Sequence, residues 1–202
     1  MAIEKEFFRQ VMGRFATGVA IVTASNEGKI GGITVNAFCS VSLNPPLVLV
    51  CIDLSSTTLP IIRQSGAFAV NILTDQQEHL SRCFATQSLE RYEHFCHVGF
   101  HTVATGAPIL EELLAFIDAR IVAEYPGGDH AIFLGRVEAM GTTSKTVFAH
   151  EADVSHATLM AQNGHIPVEQ ENPLAYYRGQ YRHLAIRYRQ PSLTTIREQG
   201  RD

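Results

Sequence analysis

The chain has 202 residues, of which 46% are hydrophobic and 18% charged, and its formal net charge is -4. That length suits one domain, and the apolar fraction is enough for a continuous core and argues against disorder. A net negative charge gives no general attraction to nucleic acid or to an anionic membrane, so neither is expected as a partner, although a local basic patch can still hold a phosphate. No apolar run approaches the ~20 residues of a membrane helix. Glu4, Lys5, Glu6 and Arg9 stand where a signal peptide would be apolar. Cys39, Cys51, Cys83 and Cys96 contain no CxxC pair and no metal-like spacing. All four are expected to be reduced packing residues of a cytoplasmic protein with no metal site.

In chain order, Ile3, Phe7, Phe8, Val11, Met12 and Phe15 recur at helical spacing and predict an amphipathic helix that Gly18 ends. A short strand over 19–24 and a turn at Asn26-Glu27-Gly28-Lys29 lead to a second strand over about 31–43. Asn44-Pro45-Pro46 breaks it, because proline cannot donate to a ladder. An apolar strand over 47–52, a short helix over 57–64 with Pro60 in its first turn, and a buried strand over 67–73 follow. Asp75 is expected to cap a helix running to about Cys83, with Glu78 at the capping-box position.

From Leu114 the chain alternates, with Ala115, Ile117, Ala119, Ile121 and Ala123 facing one way and Phe116, Asp118, Arg120 and Val122 the other. The turn Pro126-Gly127-Gly128-Asp129-His130 makes a hairpin with a strand over 131–140, and 176–188 is the last predicted strand. The polar stretch 142–172 is longer than a connection between strands needs, with a helical trace at Val154, Leu159 and Met160. We read a domain over 1–189 with an atypical insertion at about 142–172, then a polar tail over 190–202. Short strands dominate and no βαβ rhythm appears, which predicts a mainly β chain: an antiparallel, Greek-key-like barrel with peripheral helices.

Four features carry possible chemistry. Thr34, Asn36, Ser40 and Ser42 fall at even spacing, so a continuous strand presents short polar groups along one face, toward solvent or toward a polar partner. Ser55-Ser56-Thr57-Thr58 precedes a short helix, where hydroxyls and free N–H groups serve as a cap, as a phosphate cradle, or as both. Arg82, within Ser81-Arg82-Cys83-Phe84-Ala85, offers a planar fork to phosphate or is an ordinary surface arginine. His130 follows glycines that hairpin geometry demands, yet no turn demands the histidine. It is a ligand contact or a ring satisfied by a backbone carbonyl. His94, His97 and His101 lack a helical i, i+4 pair and are expected in solvent. No GxGxxG follows a strand, which argues against a Rossmann-type domain.

Several segments in register resemble the flavin reductase family. They are Phe8-Arg9-Gln10-Val11-Met12-Gly13-Arg14-Phe15-Ala16-Thr17-Gly18-Val19, then Gly31 through Pro46, then Pro46-Leu47-Val48-Leu49-Val50-Cys51-Ile52-Asp53. Phe84-Ala85, Gly128-Asp129-His130 and Pro173-Leu174-Ala175-Tyr176-Tyr177-Arg178-Gly179-Gln180-Tyr181 continue the match. The resemblance implies an FMN-binding split β-barrel that works as a homodimer. It places Thr34, Val35, Asn36 and Ala37 along the isoalloxazine and ribityl chain of FMN or FAD, with Ser40, Val41 and Ser42 continuing that wall. Cys51, Ile52 and Asp53 end the neighbouring strand, and Ser55, Ser56, Thr57 and Thr58 meet the flavin phosphate. Arg82, Phe84, Ala85, Tyr177 and Tyr181 join the cofactor contacts, and His130 lies at the nicotinamide.

The implied activity is that of an oxidoreductase, an NAD(P)H-dependent flavin reductase using NADH or NADPH and supplying reduced flavin to a partner monooxygenase. The two cofactors carry hydride transfer themselves, so no acid–base constellation is required of the chain. The rivals are a pyridoxine-phosphate-type oxidase, a non-catalytic flavin-binding or storage protein, and a flavin-binding transcription or scaffold protein. The first needs several cations in the barrel, where Lys29 stands alone between Arg14 and Arg63, and the last has no basic recognition helix.

Overall fold

A computed structural model describes residues 3–142, 145–148 and 172–184. The first half comprises α1 (Lys5–Met12), β1 (Thr17–Gly18), β2 (Ala20–Asn26), β3 (Lys29–Val35), β4 (Phe38–Leu43), β5 (Pro46–Asp53), α2 (Leu59–Ser65), β6 (Ala67–Ile72), α3 (Glu78–Ala85) and α4 (Leu89–Tyr92). The second comprises β7 (Phe100–Thr102), β8 (Pro108–Leu110), β9 (Ala115–Gly127), β10 (His130–Thr142), β11 (Lys145–Phe148), β12 (Leu174–Tyr177) and β13 (Gln180–His183).

An eight-stranded sheet runs in the order β3-β2-β6-β9-β10-β5-β4, with β11 added to β10. Alternation decides which side chains it encloses. Val48, Val50 and Ile52 of β5, Phe68 and Val70 of β6, and Phe133 and Val137 of β10 share the inner core. Fully burying each such side chain contributes about 1.5–3 kcal/mol. Ile21 of β2 and Phe116 of β9 point the other way, into a second core with Leu80 and Phe84 of α3 and Ile109 and Leu110 of β8. Both faces of β2 are therefore covered, which explains the unbroken burial of its first five residues, Ala20 to Ala24. The chain is a split barrel: β3 and β4 are consecutive in sequence, yet they form the two ends of the sheet.

Several expectations need correction. The predicted strand over 31–43 is two strands. Val35 still pairs with Ala20, whereas Phe38 pairs with Val50, so Asn36-Ala37 carries the chain from one sheet edge to the other. The ladder of β4 slips again between Ser40 and Ser42, so the even spacing of Thr34, Asn36, Ser40 and Ser42 does not place them on one continuous face. The expected last strand is a hairpin: Arg178 and Gly179 both adopt positive φ, at 52° and 74°, and fold β13 back on β12. The remainder of that prediction, 185–188, lies outside the described residues, as do the tail, nearly all of the insertion, and His150, His156 and His165.

The helix after β6 is capped one residue earlier than expected. The Gln77 side chain accepts the Thr74 N–H at 3.1 Å, and Asp75 opens a 3-10 turn before α3. Helix α1 is shorter than the pattern suggested, Gly13 ends it, and none of its residues is buried. The expectation of four reduced cysteines also fails: Cys83 and Cys96 form a disulfide, and Cys39 and Cys51 are free. Edge-to-face packing of Phe84 on Phe95, with ring centroids 5.1 Å apart, brings these cysteine neighbours together, a contact that spacing alone does not reveal. His101 is half-buried beside Phe116 rather than solvated, and burial pushes its ring pKa down. Among the described residues no helix is long and apolar enough to cross a membrane.

Candidate functional site

Residues 32–37 form a spine to which the other predicted segments are bonded. The Gly32 carbonyl accepts the Thr58 hydroxyl at 3.1 Å and Arg91 Nε at 2.9 Å. The Thr34 hydroxyl donates to the Ser81 carbonyl at 2.7 Å, and the Ala37 carbonyl accepts the Cys51 N–H at 3.0 Å. Segments 51–53, 55–58 and 81–85 are thus brought to one stretch of backbone.

Gly32 is required where it stands, because a Cβ there would lie 2.5 Å from the buried Phe84 ring. Phe84, Val35 and Ile52 are themselves core side chains, so Val35 and Ile52 offer a ligand their backbone groups only. Asn36, Ala37, Ser40 and Val41 are exposed, and Ser42 is half-buried.

Between α3 and the terminal hairpin the surface opens into a cleft of about 560 Å³, lined by Glu78, Arg82, Ala85 and Thr86 from α3 and its end, and by Tyr176, Gly179, Gln180 and Tyr181 from the β12–β13 hairpin. Its side chains are mutually engaged. The Tyr181 hydroxyl and Ser81 Oγ share a hydrogen bond at 2.8 Å, and the Arg82 guanidinium lies 4.8 Å from the Tyr181 ring centroid. Arg82 also pairs with Glu78 at 2.6 Å, and Tyr176 packs edge-on against Tyr181 at 5.5 Å. Two aromatic rings beside a cation suit a flat, anionic ligand. Tyr177 belongs to the other face of β12, with Arg178 over its ring at 5.4 Å.

A second group sits at the far end of β5 and β10. His130 is paired in register with Asp53, and the Leu54 N–H donates to the Asp129 carbonyl at 3.0 Å. Ser55 donates to Asp53 through its hydroxyl at 2.6 Å and its N–H at 2.7 Å, and His130 Nδ1 meets Asp129 at 2.7 Å. The Ser55 hydroxyl, then its N–H, hold the Asp53 carboxyl below the usual range, and His130 adds to this. The His130 hydrogen bond does the same for Asp129.

The predicted phosphate cradle is partly committed within the chain: Ser55 serves Asp53, Thr58 is buried on Gly32, and Ser56 Oγ accepts the Thr58 N–H at 3.2 Å. Sequence reading missed Arg91, which is only 7% exposed, donates to Gly32 and to the Thr58 hydroxyl at 3.2 Å, and has its pKa lowered by burial. Ser81, Tyr176 and Gln180 fall within segments that the sequence reading quoted, but it named none of them as a contact.

Against known proteins, the profile of the flavin reductase like domain matches residues 12–185. The chain belongs to the flavin reductase family. A flavin reductase of Pseudomonas putida is 39% identical over 145 residues, covering 71% of this chain and 84% of that one. The structure of component B of a nitrilotriacetate monooxygenase from Mycobacterium thermoresistibile superposes with a TM-score of 0.75 at 30% identity, covering 93% of this chain and 90% of the other. The NADH:FAD oxidoreductase SgcE6 of Streptomyces globisporus, solved in complex with NAD and FAD fragments, gives 0.70 at 27% identity, covering 93% and 99%. This family member thus carries the spine, the cleft and the His130 turn on the barrel its relatives share.

Proposed function

We propose that this flavin reductase family chain is an NAD(P)H:flavin oxidoreductase that passes a hydride from a dihydronicotinamide to FMN or FAD and serves a partner monooxygenase. The observation that carries the reading is the bonding of 32–37 to three of the expected flavin segments, at Cys51, Thr58 and Ser81, with Ser81 next to the Arg82 that walls a cleft with Tyr176 and Tyr181. The flavin, when bound, supplies the redox chemistry, accepting two electrons and a proton as hydride. The chain binds and orients. Backbone at Asn36 and Ala37 borders the ring, Ser40, Val41 and Ser42 extend that border, and Ser56 and Thr57 offer hydroxyls to a phosphate. Arg82 and Tyr181 close the cleft side. His130, held by Asp129, contacts the nicotinamide or its pyrophosphate.

The chain works as a homodimer in this reading. Phe8 of α1 is 56% exposed and Leu43, at the end of β4, is 95% exposed, and together with Val41 they leave apolar surface that a second copy covers. In this reading the protein works in the cytoplasm, where NAD(P)H is supplied.

The test is steady-state oxidation of NADH and NADPH with FMN, FAD and riboflavin, followed at the dihydronicotinamide absorbance. Turnover with at least one pair is expected. A protein that binds flavin and oxidises neither nucleotide refutes the proposal. Light scattering should give a dimer mass, and Phe8→Glu should shift it toward the monomer.

A further inference from the structure

We propose that the Cys83–Cys96 disulfide is a reversible redox site that fixes α3 against the cleft and so couples thiol state to flavin affinity. The inference rests on the functional reading above only for what occupies the cleft.

Cys83 sits in the middle of the helix that builds the site. Ser81 before it accepts from Thr34, Arg82 lies over Tyr181, Phe84 underlies Gly32, and Ala85 lines the cleft. Its partner belongs to a turn with an unfavourable backbone: Phe95, Cys96 and His97 are consecutive non-glycine residues with φ of 48°, 54° and 54°. L-residues avoid that region, and three in succession persist only where surrounding contacts enforce them. Phe95 is buried and packs on Phe84 at 5.1 Å and on Phe100 at 5.4 Å, while His97 stacks on His94 at 5.0 Å and reaches exposed Glu90. The covalent tie at the centre of the turn, and the one that joins it to α3, is the disulfide.

Both cysteines are partly exposed, so a small thiol reaches them, and Cys39 and Cys51 are free and belong to other strands. Disulfides in reducing compartments are mostly transient or sensing ones.

The chemistry balances with a dithiol as reductant. One of its thiolates attacks a sulfur and breaks the S–S bond, its second thiol closes its own ring, and two electrons and two protons pass from the dithiol to Cys83 and Cys96, which end as thiols. In reverse, peroxide takes two electrons from the pair, the S–S bond forms, and two waters leave. With the bond broken, the turn over 95–97 relaxes and the cleft-lining end of α3 loses its anchor.

The experiment uses the full chain, oxidised with peroxide or reduced with dithiothreitol. Alkylation and mass spectrometry should label only Cys39 and Cys51 in the oxidised protein and all four cysteines after reduction. FMN titration should show affinity falling by about fivefold or more on reduction and returning with peroxide. Amide exchange over 79–86 and 94–98, read without flavin, should rise in parallel. Cys83→Ser/Cys96→Ser should match the reduced protein and ignore dithiothreitol.

The proposal fails if all four cysteines alkylate in the peroxide-treated protein, if exchange is the same in both states, or if the double variant still responds. It fails equally if FMN binds with one affinity in both states. Absence of FMN binding in both would instead strike the functional reading, and exchange would still decide the switch.

Discussion

The Thr34 hydroxyl donates to the Ser81 carbonyl at 2.7 Å, across 47 positions of sequence, and so joins the edge strand β3 to helix α3. Thr34→Val keeps the shape and removes the side-chain donor that the carbonyl of buried Ser81 accepts in addition to its place in α3. The expected cost is about 1 kcal/mol of stability and, because Ser81 immediately precedes Arg82 of the cleft wall, about fivefold in FMN affinity. Urea unfolding and fluorescence titration measure the two. An unchanged affinity in the folded variant removes Thr34 from the site.

Tyr181 offers two separable contributions. Tyr181→Phe loses only the hydrogen bond to Ser81 and keeps the ring beneath Arg82, so flavin KM should change little. Tyr181→Ala removes the ring as well, and a loss of about 1–2 kcal/mol in kcat/KM for flavin is expected. If the two variants behave alike, the ring is not a wall of the site.

Gly32→Ala tests the packing under the spine. The new methyl would meet the buried Phe84 ring, and overpacking of this kind costs about 1–3 kcal/mol. Adding Phe84→Leu should recover part of that loss by opening space. A melting temperature equal to wild type in Gly32→Ala would mean that the close approach is absent in solution.

The Asp53 carboxyl is held below its usual range in the fold, first by the Ser55 hydroxyl. A carboxylate shifted this way stabilises the fold above its unfolded pKa and loses that contribution as pH falls through the folded one. Asp53→Asn should therefore lower the urea midpoint slightly at neutral pH, and the difference should vanish in acid, below the ordinary value of about 3.9. The effect is small because the group faces solvent. A difference that instead grows in acid contradicts this assignment.

The elements with internal evidence were readable from sequence. The strands near 47–52 and 67–73, and the hairpin that carries His130, follow from alternation and turn chemistry within each segment. The break at Asn36-Ala37 was not readable, because both strands it joins keep the same period and differ only in the partner they pair with. Arg91 was hidden for a similar reason. Nothing local distinguishes it from a surface arginine, and its burial comes from Gly32 and Thr58, far away in the chain. The Cys83–Cys96 pair likewise needed the meeting of Phe84 and Phe95 to become visible.

The opening between β3 and β4 bears on how this protein tolerates change. The backbone of Asn36 and Ala37 spans it, and its peptide groups are the same whatever side chain is attached. A library randomised at Asn36 and Ala37 should therefore retain many active members, whereas one randomised at Gly32 should retain far fewer. In this barrel, drift is cheap at the rim and restricted one turn of backbone beneath it.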